Sequence, residues 1–251
     1  MSGIEDYLGI PKAGTVNQRV AIKDIIEQLS LSGSEKKLFE SDIYSVHLIG
    51  VLDADTIHVL PYRDEEYLYE TIYVIKAILK SNDHFSFVVE TIHAAFPNPL
   101  IIIFEKDEKW VISLAPKRIN KNNSNKSVFE SVYSTDWFTV DDQHRRMLEN
   151  LNLSEKTSAN MKGLYEVFLA NAYSERLIRF IGCYPSKIPQ GFATIQRIKL
   201  LECEFTILHN SESSYNTSMM MAEKMEIYTL IKKTKASIAL MIDKFREDSI
   251  V

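Results

Sequence analysis

A chain of 251 residues with 45% hydrophobic and 10% aromatic residues can bury a sizeable core, which excludes an intrinsically disordered protein. Its formal net charge of -5 argues against a protein that coats nucleic acid or membrane by bulk electrostatics, and leaves room only for a local basic patch. Its two cysteines do not make a disulfide framework, and the acidic N-terminus and the lack of a long apolar run predict a cytoplasmic protein without membrane contact.

The first elements combine a short strand-like segment with helices. The spacing of apolar residues changes from alternation to helical intervals between Val20 and Leu29. A clearer helix is predicted from Ser34 to Leu52, because Ser34 and Glu35 suit a helix start. Within it the apolar residues fall on one face: Leu38, Phe39, Ile43, Val46 and Ile49.

The middle of the chain predicts a sheet. Tyr67 to Leu79 is rich in β-branched and aromatic residues, as a long strand is, with a helix as the competing interpretation. A helix capped by Asp83 and ended by Pro97 follows. Two strands joined by the charged turn at 105–109 then form a hairpin, and a fourth strand follows the loop at 120–127. Residues 1–140 are therefore predicted to be an α+β domain, a mostly antiparallel four-stranded sheet with helices on one face.

The remaining residues, 141–251, predict a helical C-terminal region. Helical spacing runs through Leu164, Val167, Phe168 and Ala172. From Phe192 to Arg246 apolar residues recur at intervals of three, four and seven, which predicts two long helices, or one that is interrupted near residues 209–214.

Positive charge is concentrated after the second strand of the predicted hairpin. Lys117, Arg118, Lys121 and Lys126 lie close together with no acid among them. Such side chains contact phosphate oxygens or carboxylates. Two interpretations follow: a solvated flexible loop, or a surface that binds a nucleic-acid backbone or an acidic partner.

Methionines are concentrated in the last long helix. Met221 and Met225 lie near Tyr228 and Ile231, and together they offer soft apolar surface that is either core or a docking face for a partner helix. Long helices with such a stripe must bury it somewhere. We therefore predict that Met221, Met225, Tyr228 and Ile231 bind a protein partner or a second copy of the chain, as a homodimer through the C-terminal helices.

Motifs that carry chemistry are missing from the sequence. It contains no glycine-rich phosphate loop and no G-x-S-x-G, and its six histidines never fall at a metal-ligand spacing. The sequence therefore predicts no catalytic residue, no metal site and no cofactor. The competing enzyme hypothesis is a metal-dependent nuclease that uses Glu105 or Asp107 with Lys117 across the hairpin.

Weak motifs along nearly the whole chain resemble those of an uncharacterised bacterial and archaeal family, domain of unknown function 4391. They are a "VNxR" element, the hairpin entry, a lysine after the second hairpin strand, a "Y-x-x-x-W" feature, an "LxxIYExF"-like helix and an aromatic-Asn pair. The matching residues are Val16, Asn17 and Arg19; Phe96, Pro97, Pro99, Leu100 and Ile103; Lys117; Tyr133 and Trp137; Leu164, Tyr165, Glu166 and Phe168; Tyr215 and Asn216.

This resemblance implies a role in bacterial or archaeal defence. Members of the family look to be encoded beside helicases and DNA methyltransferases, in clusters of the restriction-modification or phage-defence kind. The resemblance thus implies a non-enzymatic accessory subunit of a DNA-processing or antiviral defence system, with a partner of helicase or methyltransferase type and DNA as a further contact. A nuclease subunit of such a system and a purely structural assembly protein are the alternatives.

Overall fold

The computed structural model describes residues 3–121, 123–129, 131–155, 158–186, 188, 191–218 and 220–250. The chain divides into two compact units, Met1–Tyr173 (unit 1) and Ser174–Val251 (unit 2). The predicted domain boundary after residue 140 falls inside unit 1.

Unit 1 carries the strands of the protein. In the described residues they are β1 (Thr15–Val20), β2 (Ile43–Leu52), β3 (Tyr62–Arg63), β4 (Leu68–Tyr69), β5 (Ile72–Leu79), β6 (Leu100–Lys106), β7 (Lys109–Leu114), β8 (Lys117–Asn120), β9 (Asn123–Phe129) and β10 (Tyr133–Ser134).

Helices occur in both units. Unit 1 contains α1 (Ile22–Leu29), α2 (Gly33–Asp42), α3 (Ala54–Ile57), α4 (Phe85–Ala95), α5 (Asp142–Asn150) and α6 (Met161–Tyr173), with short 3-10 turns at Ile4–Leu8, Lys12–Gly14 and Leu153–Glu155. Unit 2 contains a 3-10 turn at Ser174–Leu177, then α7 (Ile178–Ile181), α8 (Phe192–Thr217) and α9 (Met221–Ile250). Among these described helices, none is both long and apolar enough to cross a bilayer.

The main sheet is six-stranded and mixed, in the order β1-β2-β5-β6-β7-β10, so the prediction of four mostly antiparallel strands is wrong. β5 and β6 run parallel, because α4 carries the chain back between them. The other neighbours in the sheet are antiparallel, including the predicted β6–β7 hairpin, which is confirmed. Two short antiparallel ribbons, β3–β4 and β8–β9, lie outside this sheet.

The helix predicted from Ser34 to Leu52 is wrong in its second half. Ser32 caps α2 in a reciprocal arrangement with Glu35, and the helix ends at Asp42. The chain then continues as β2, which pairs with β1 on one side and β5 on the other. Pairing on both sides satisfies the backbone N–H and C=O groups of β2, which is also rich in β-branched residues. These two effects outweigh the helical spacing of its apolar side chains.

The main core of unit 1 lies between the sheet and α1, α2 and α4. Ile75 and Ala77 of β5, Ile102 of β6 and Ile92 of α4 are almost fully buried in one cluster. α6 adds a second attachment to the sheet, because the Tyr165 hydroxyl donates to the Leu100 carbonyl and accepts from the Ala115 amide, both at 2.9 Å. Residues 141–173 therefore belong to the packing of unit 1.

Candidate functional site

The two long helices predicted near the C-terminus are confirmed, and α8 and α9 form an antiparallel hairpin. Contacts pair the end of α8 with the start of α9: the rings of Tyr215 and Tyr228 lie 6.3 Å apart, and Lys235 pairs with Glu212 at 2.8 Å. At the opposite end the Arg197 guanidinium lies 4.5 Å from the centre of the Phe245 ring. The tip of the hairpin is therefore where α8 ends, at Thr217, and α9 begins, at Met221.

The buried positions of α9 recur at alternating intervals of four and three residues, as they do in a coiled coil. Ile231, Thr234, Ile238 and Phe245 are buried, and Ile227 and Met241 are half-buried. α8 has the same pattern, with buried Thr194, Ile198 and Leu201 followed by half-buried Phe205 and Leu208. These two rows are the seam of the hairpin.

Outside the seam, the hairpin exposes an unusual amount of apolar surface. Among the residues that the structure describes, thirteen large hydrophobic residues are exposed, and nine of them belong to α8, α9 and the tip. Scattered single residues of this kind are normal, but a concentration in one element is typical of an interaction surface. The nine are Phe192, Leu200, Ile207, Met220, Met221, Met225, Tyr228, Leu230 and Leu240.

Three of these residues form a row that we call the methionine stripe: Met221, Met225 and Tyr228. They stand at positions i, i+4 and i+7 of α9, so they lie on one side of the helix. Met221 is 75% exposed, Met225 64% and Tyr228 49%. The fourth predicted partner-binding residue, Ile231, is only 8% exposed because it lies in the seam.

Lysines border the methionine stripe. The Lys232 ammonium lies 4.8 Å from the centre of the Tyr228 ring, and the Lys224 ammonium lies 5.5 Å from that of Tyr215. The contact residues predicted from the sequence did not include Lys232. Its place one turn after Tyr228 was the available signal, because residues four apart on a helix are neighbours.

The predicted basic loop is mostly a β-ribbon. β8 contains Lys117, Arg118 and Asn120, and its partner strand β9 contains Lys126. Lys121 is exposed at the turn and Arg118 is half-buried. The side chain of Lys126 lies outside the described part of the chain. The described side chains thus do not gather the four cations into one exposed patch.

Lys117 is a buried structural lysine. Only 3% of it is exposed, and its ammonium donates to the carbonyls of His93, at 2.7 Å, and Phe96. These carbonyls are at the C-terminal end of α4, which attracts a cation. Burial lowers the pKa of Lys117 to about 7, whereas the two carbonyls favour the charged form. The side chain is turned away from any nucleic-acid backbone.

His93 lies beside Lys117 in the same buried network. Its Nε2 is 3.1 Å from the Ser113 hydroxyl, which also accepts from the Ser134 hydroxyl. Burial, reinforced by the nearby Lys117 cation, lowers the pKa of His93 to about 3, so the imidazole is neutral at physiological pH. This network joins α4, β7 and β10 and has no open face for a substrate, since His93 and Ser113 are fully buried.

The residues of the nuclease hypothesis are not brought together. In the β6–β7 hairpin, Glu105 faces Trp110 of the neighbouring strand close to the turn. Lys117 comes after the other end of β7, where Leu114 faces Ile101. Glu105 instead binds the Lys76 ammonium at 2.9 Å. Among the residues that the structure describes, no group of three or more His, Cys, Asp or Glu side chains is arranged to hold a metal ion.

Comparison with known proteins places the chain in a family. A family model described as "Domain of unknown function (DUF4391)" matches residues 8–238, which is most of the sequence. The chain belongs to the DUF4391 family. The resemblance expected from the sequence motifs is thus confirmed at the level of the family. No curated protein and no solved structure matches the chain.

Proposed function

We propose that this DUF4391 chain is a non-enzymatic accessory subunit that binds a partner protein through the tip of its α8–α9 hairpin. The observation that carries the proposal is the methionine stripe, which leaves Met221 and Met225 largely in water and Tyr228 half exposed although the hairpin already has a seam of buried and half-buried side chains. Apolar side chains that stay exposed beside a buried seam are available for another molecule.

The chemistry of the tip favours an amphipathic helix with an acidic edge as the bound segment. Methionine is flexible and polarisable, so a row of methionines adapts to the apolar face of a helix. Lys224 and Lys232 border this row, and Lys233 follows it on α9. Their charges would complement carboxylates beside the apolar face of the partner and exclude basic segments.

Membership of the family directs the search for the partner. The resemblance implies neighbouring genes for helicases and DNA methyltransferases, so the proposed setting is a DNA-processing or antiphage defence complex. Products of the neighbouring genes are the first candidates. DNA contact by Arg118, Lys121 and Lys126 stays a prediction, which salt-dependent binding of the whole chain to DNA would test.

The test is co-purification of the tagged full-length chain with the products of neighbouring genes. We expect the double variant Met221→Glu, Met225→Glu to lose the partner, because two carboxylates would be desolvated against an apolar helix face. Leu240→Glu is the matched control, since Leu240 is an equally exposed apolar residue of α9 outside the stripe. Helix content by circular dichroism should be the same in all three proteins.

Two results would contradict the proposal. One is a partner that both variants retain equally, which would mean that the stripe is not the contact. The other is self-association that depends on Met221 and Met225, measured by sedimentation, which would make a second copy of the chain the occupant instead.

A further inference from the structure

Unit 1 contains a cleft on the face of the main sheet opposite to α1, α2 and α4. Val46 and Ile75 point into the core beneath those helices, so their neighbours His47 and Lys76 point to the other face. Residues 5–10 and the start of β1 border this second face and leave a cavity of about 530 Å³. Ligand sites of ordinary metabolites fall between roughly 300 and 1,000 Å³.

Two glycines allow the N-terminal segment to form the wall of this N-terminal cleft. Gly9 ends the first 3-10 turn with φ +57, a conformation that other residues rarely adopt. A Cβ on Gly50 would lie 3.1 Å from the Val74 side chain and 3.2 Å from that of Ile10, so glycine permits close approach of Ile10 to the sheet. The wall is therefore built by specific packing.

An ion cluster at the cleft fixes the wall to the sheet. The Lys76 ammonium lies 2.9 Å from a carboxylate oxygen of Glu5 and 2.9 Å from one of Glu105. Burial opposes the charged form of Lys76, but hydrogen bonds to Glu105 and Glu5 outweigh it and raise the pKa, so the ammonium stays charged. Lys76 is thus already saturated with carboxylates and is not available to an anionic ligand.

The charge that remains in the cleft is negative. Among the residues that line the cleft, Glu5 and Asp6 oppose the single ammonium of Lys76, which gives a formal sum of -1. Arg19, which faces His47 in the β1–β2 register, and Glu105, which binds Lys76, do not line the cleft, and counting both leaves the sum at -1. Asn17 and His47 add atoms that can accept hydrogen bonds. Ile49 and Ile78 form apolar floor.

We propose that the N-terminal cleft binds a small organic amine in its cationic form. The ammonium of the ligand lies at the Asp6 carboxylate, with Asn17 and His47 as further acceptors, and its hydrocarbon part covers Ile49 and Ile78. An acidic wall beside an apolar floor selects amines over the neutral and anionic analogues of the same shape.

The test is an NMR titration of the full-length chain with 2-phenylethylammonium, 2-phenylethanol and phenylacetate. We expect the amine to shift the backbone amide signals of Asp6, Asn17 and His47, and to bind about tenfold more tightly than the alcohol, a ratio worth about 1.4 kcal/mol. Phenylacetate should bind more weakly than the alcohol.

Three variants separate the cleft from general surface charge. Asp6→Asn should reduce binding of the amine to the level of the alcohol. Asp24→Asn is the control, because it removes the same charge from an exposed residue of α1 at the other face of the sheet, and it should not reduce binding. Asn17→Trp fills the cleft from an exposed position on β1 and should abolish binding of both ligands.

The proposal is overturned if the amine causes no shifts at these residues up to about 10 mM, which corresponds to very weak binding. It is also overturned if amine and alcohol bind equally, if phenylacetate binds most tightly, or if Asp6→Asn behaves like Asp24→Asn.

Discussion

Lys117 illustrates how a residue selected from sequence for one role takes another. The sequence predicted one contact surface for Lys117, Arg118, Lys121 and Lys126, because all four are cationic and close in the chain. In the structure the Lys117 ammonium binds the last carbonyls of α4, and the Lys117 amide donates to the Tyr69 hydroxyl at 3.1 Å. Nothing local in the sequence separates a buried lysine from an exposed one, since burial depends on how α4 and β8 meet.

The placement of Lys117 changes the expected effect of charge reversal. Lys117→Glu would put a carboxylate against two carbonyl oxygens in a buried site, so we expect it to lower the free energy of unfolding by about 3 kcal/mol or more. Lys121→Glu, at an exposed turn, should change it by less than about 0.5 kcal/mol. Urea denaturation of both variants measures this difference. Equal stability of the two would show that Lys117 does not support α4.

At the scale of elements, the sequence predicted the helices better than the sheet. α4, the β6–β7 hairpin and the two C-terminal helices follow their apolar spacing. β2 was missed because Ile43, Val46 and Ile49 also fit a helical period, and only pairing with β1 and β5 decides between the two. The parallel pairing of β5 with β6 could have been predicted, since a strand, a helix and a strand in that order are typical of parallel neighbours.

The α8–α9 hairpin depends on its seam, and single substitutions can test this. Ile238→Ala removes a seam residue that is 6% exposed, so we expect a loss of about 2 to 4 kcal/mol from lost burial and the cavity left behind. Leu240→Ala, at a residue 60% exposed on the same helix, should cost less than about 0.5 kcal/mol. The helical signal in circular dichroism during urea unfolding measures both. Similar losses would mean that the seam is not where the hairpin gains stability.

At the scale of the whole molecule, the candidate site was predicted in part. The methionine stripe was visible as a local concentration of methionines, and the structure leaves Met221, Met225 and Tyr228 exposed, while their binding to a partner stays a prediction. Ile231 could not be assigned from sequence, because an apolar residue at helical spacing serves equally in a seam or on an outer face. The N-terminal cleft was not predicted at all, since its residues come from separate segments that only the folded sheet brings together.

The extent of unit 1 leads to a prediction about truncated chains. Tyr165 of α6 binds backbone groups of Leu100 and Ala115, and the rings of Tyr133 and Tyr173 are in contact, with centroids 5.4 Å apart. We therefore expect a fragment of residues 1–173 to unfold cooperatively in urea. A fragment of residues 1–140 would expose the surface that α6 covers, and should aggregate or unfold gradually. Cooperative unfolding of the shorter fragment would place the folding boundary at the earlier position.

Both edge strands of the main sheet are poor templates for strand addition. β10 offers only two residues, and β1 is polar, carries Arg19 and is interrupted by an irregularity between Thr15 and Gln18. Short, charged or bulged edge strands keep sheets of separate molecules from joining into one continuous sheet. Crowded copies of this chain are thereby protected from edge-to-edge polymerisation through the main sheet.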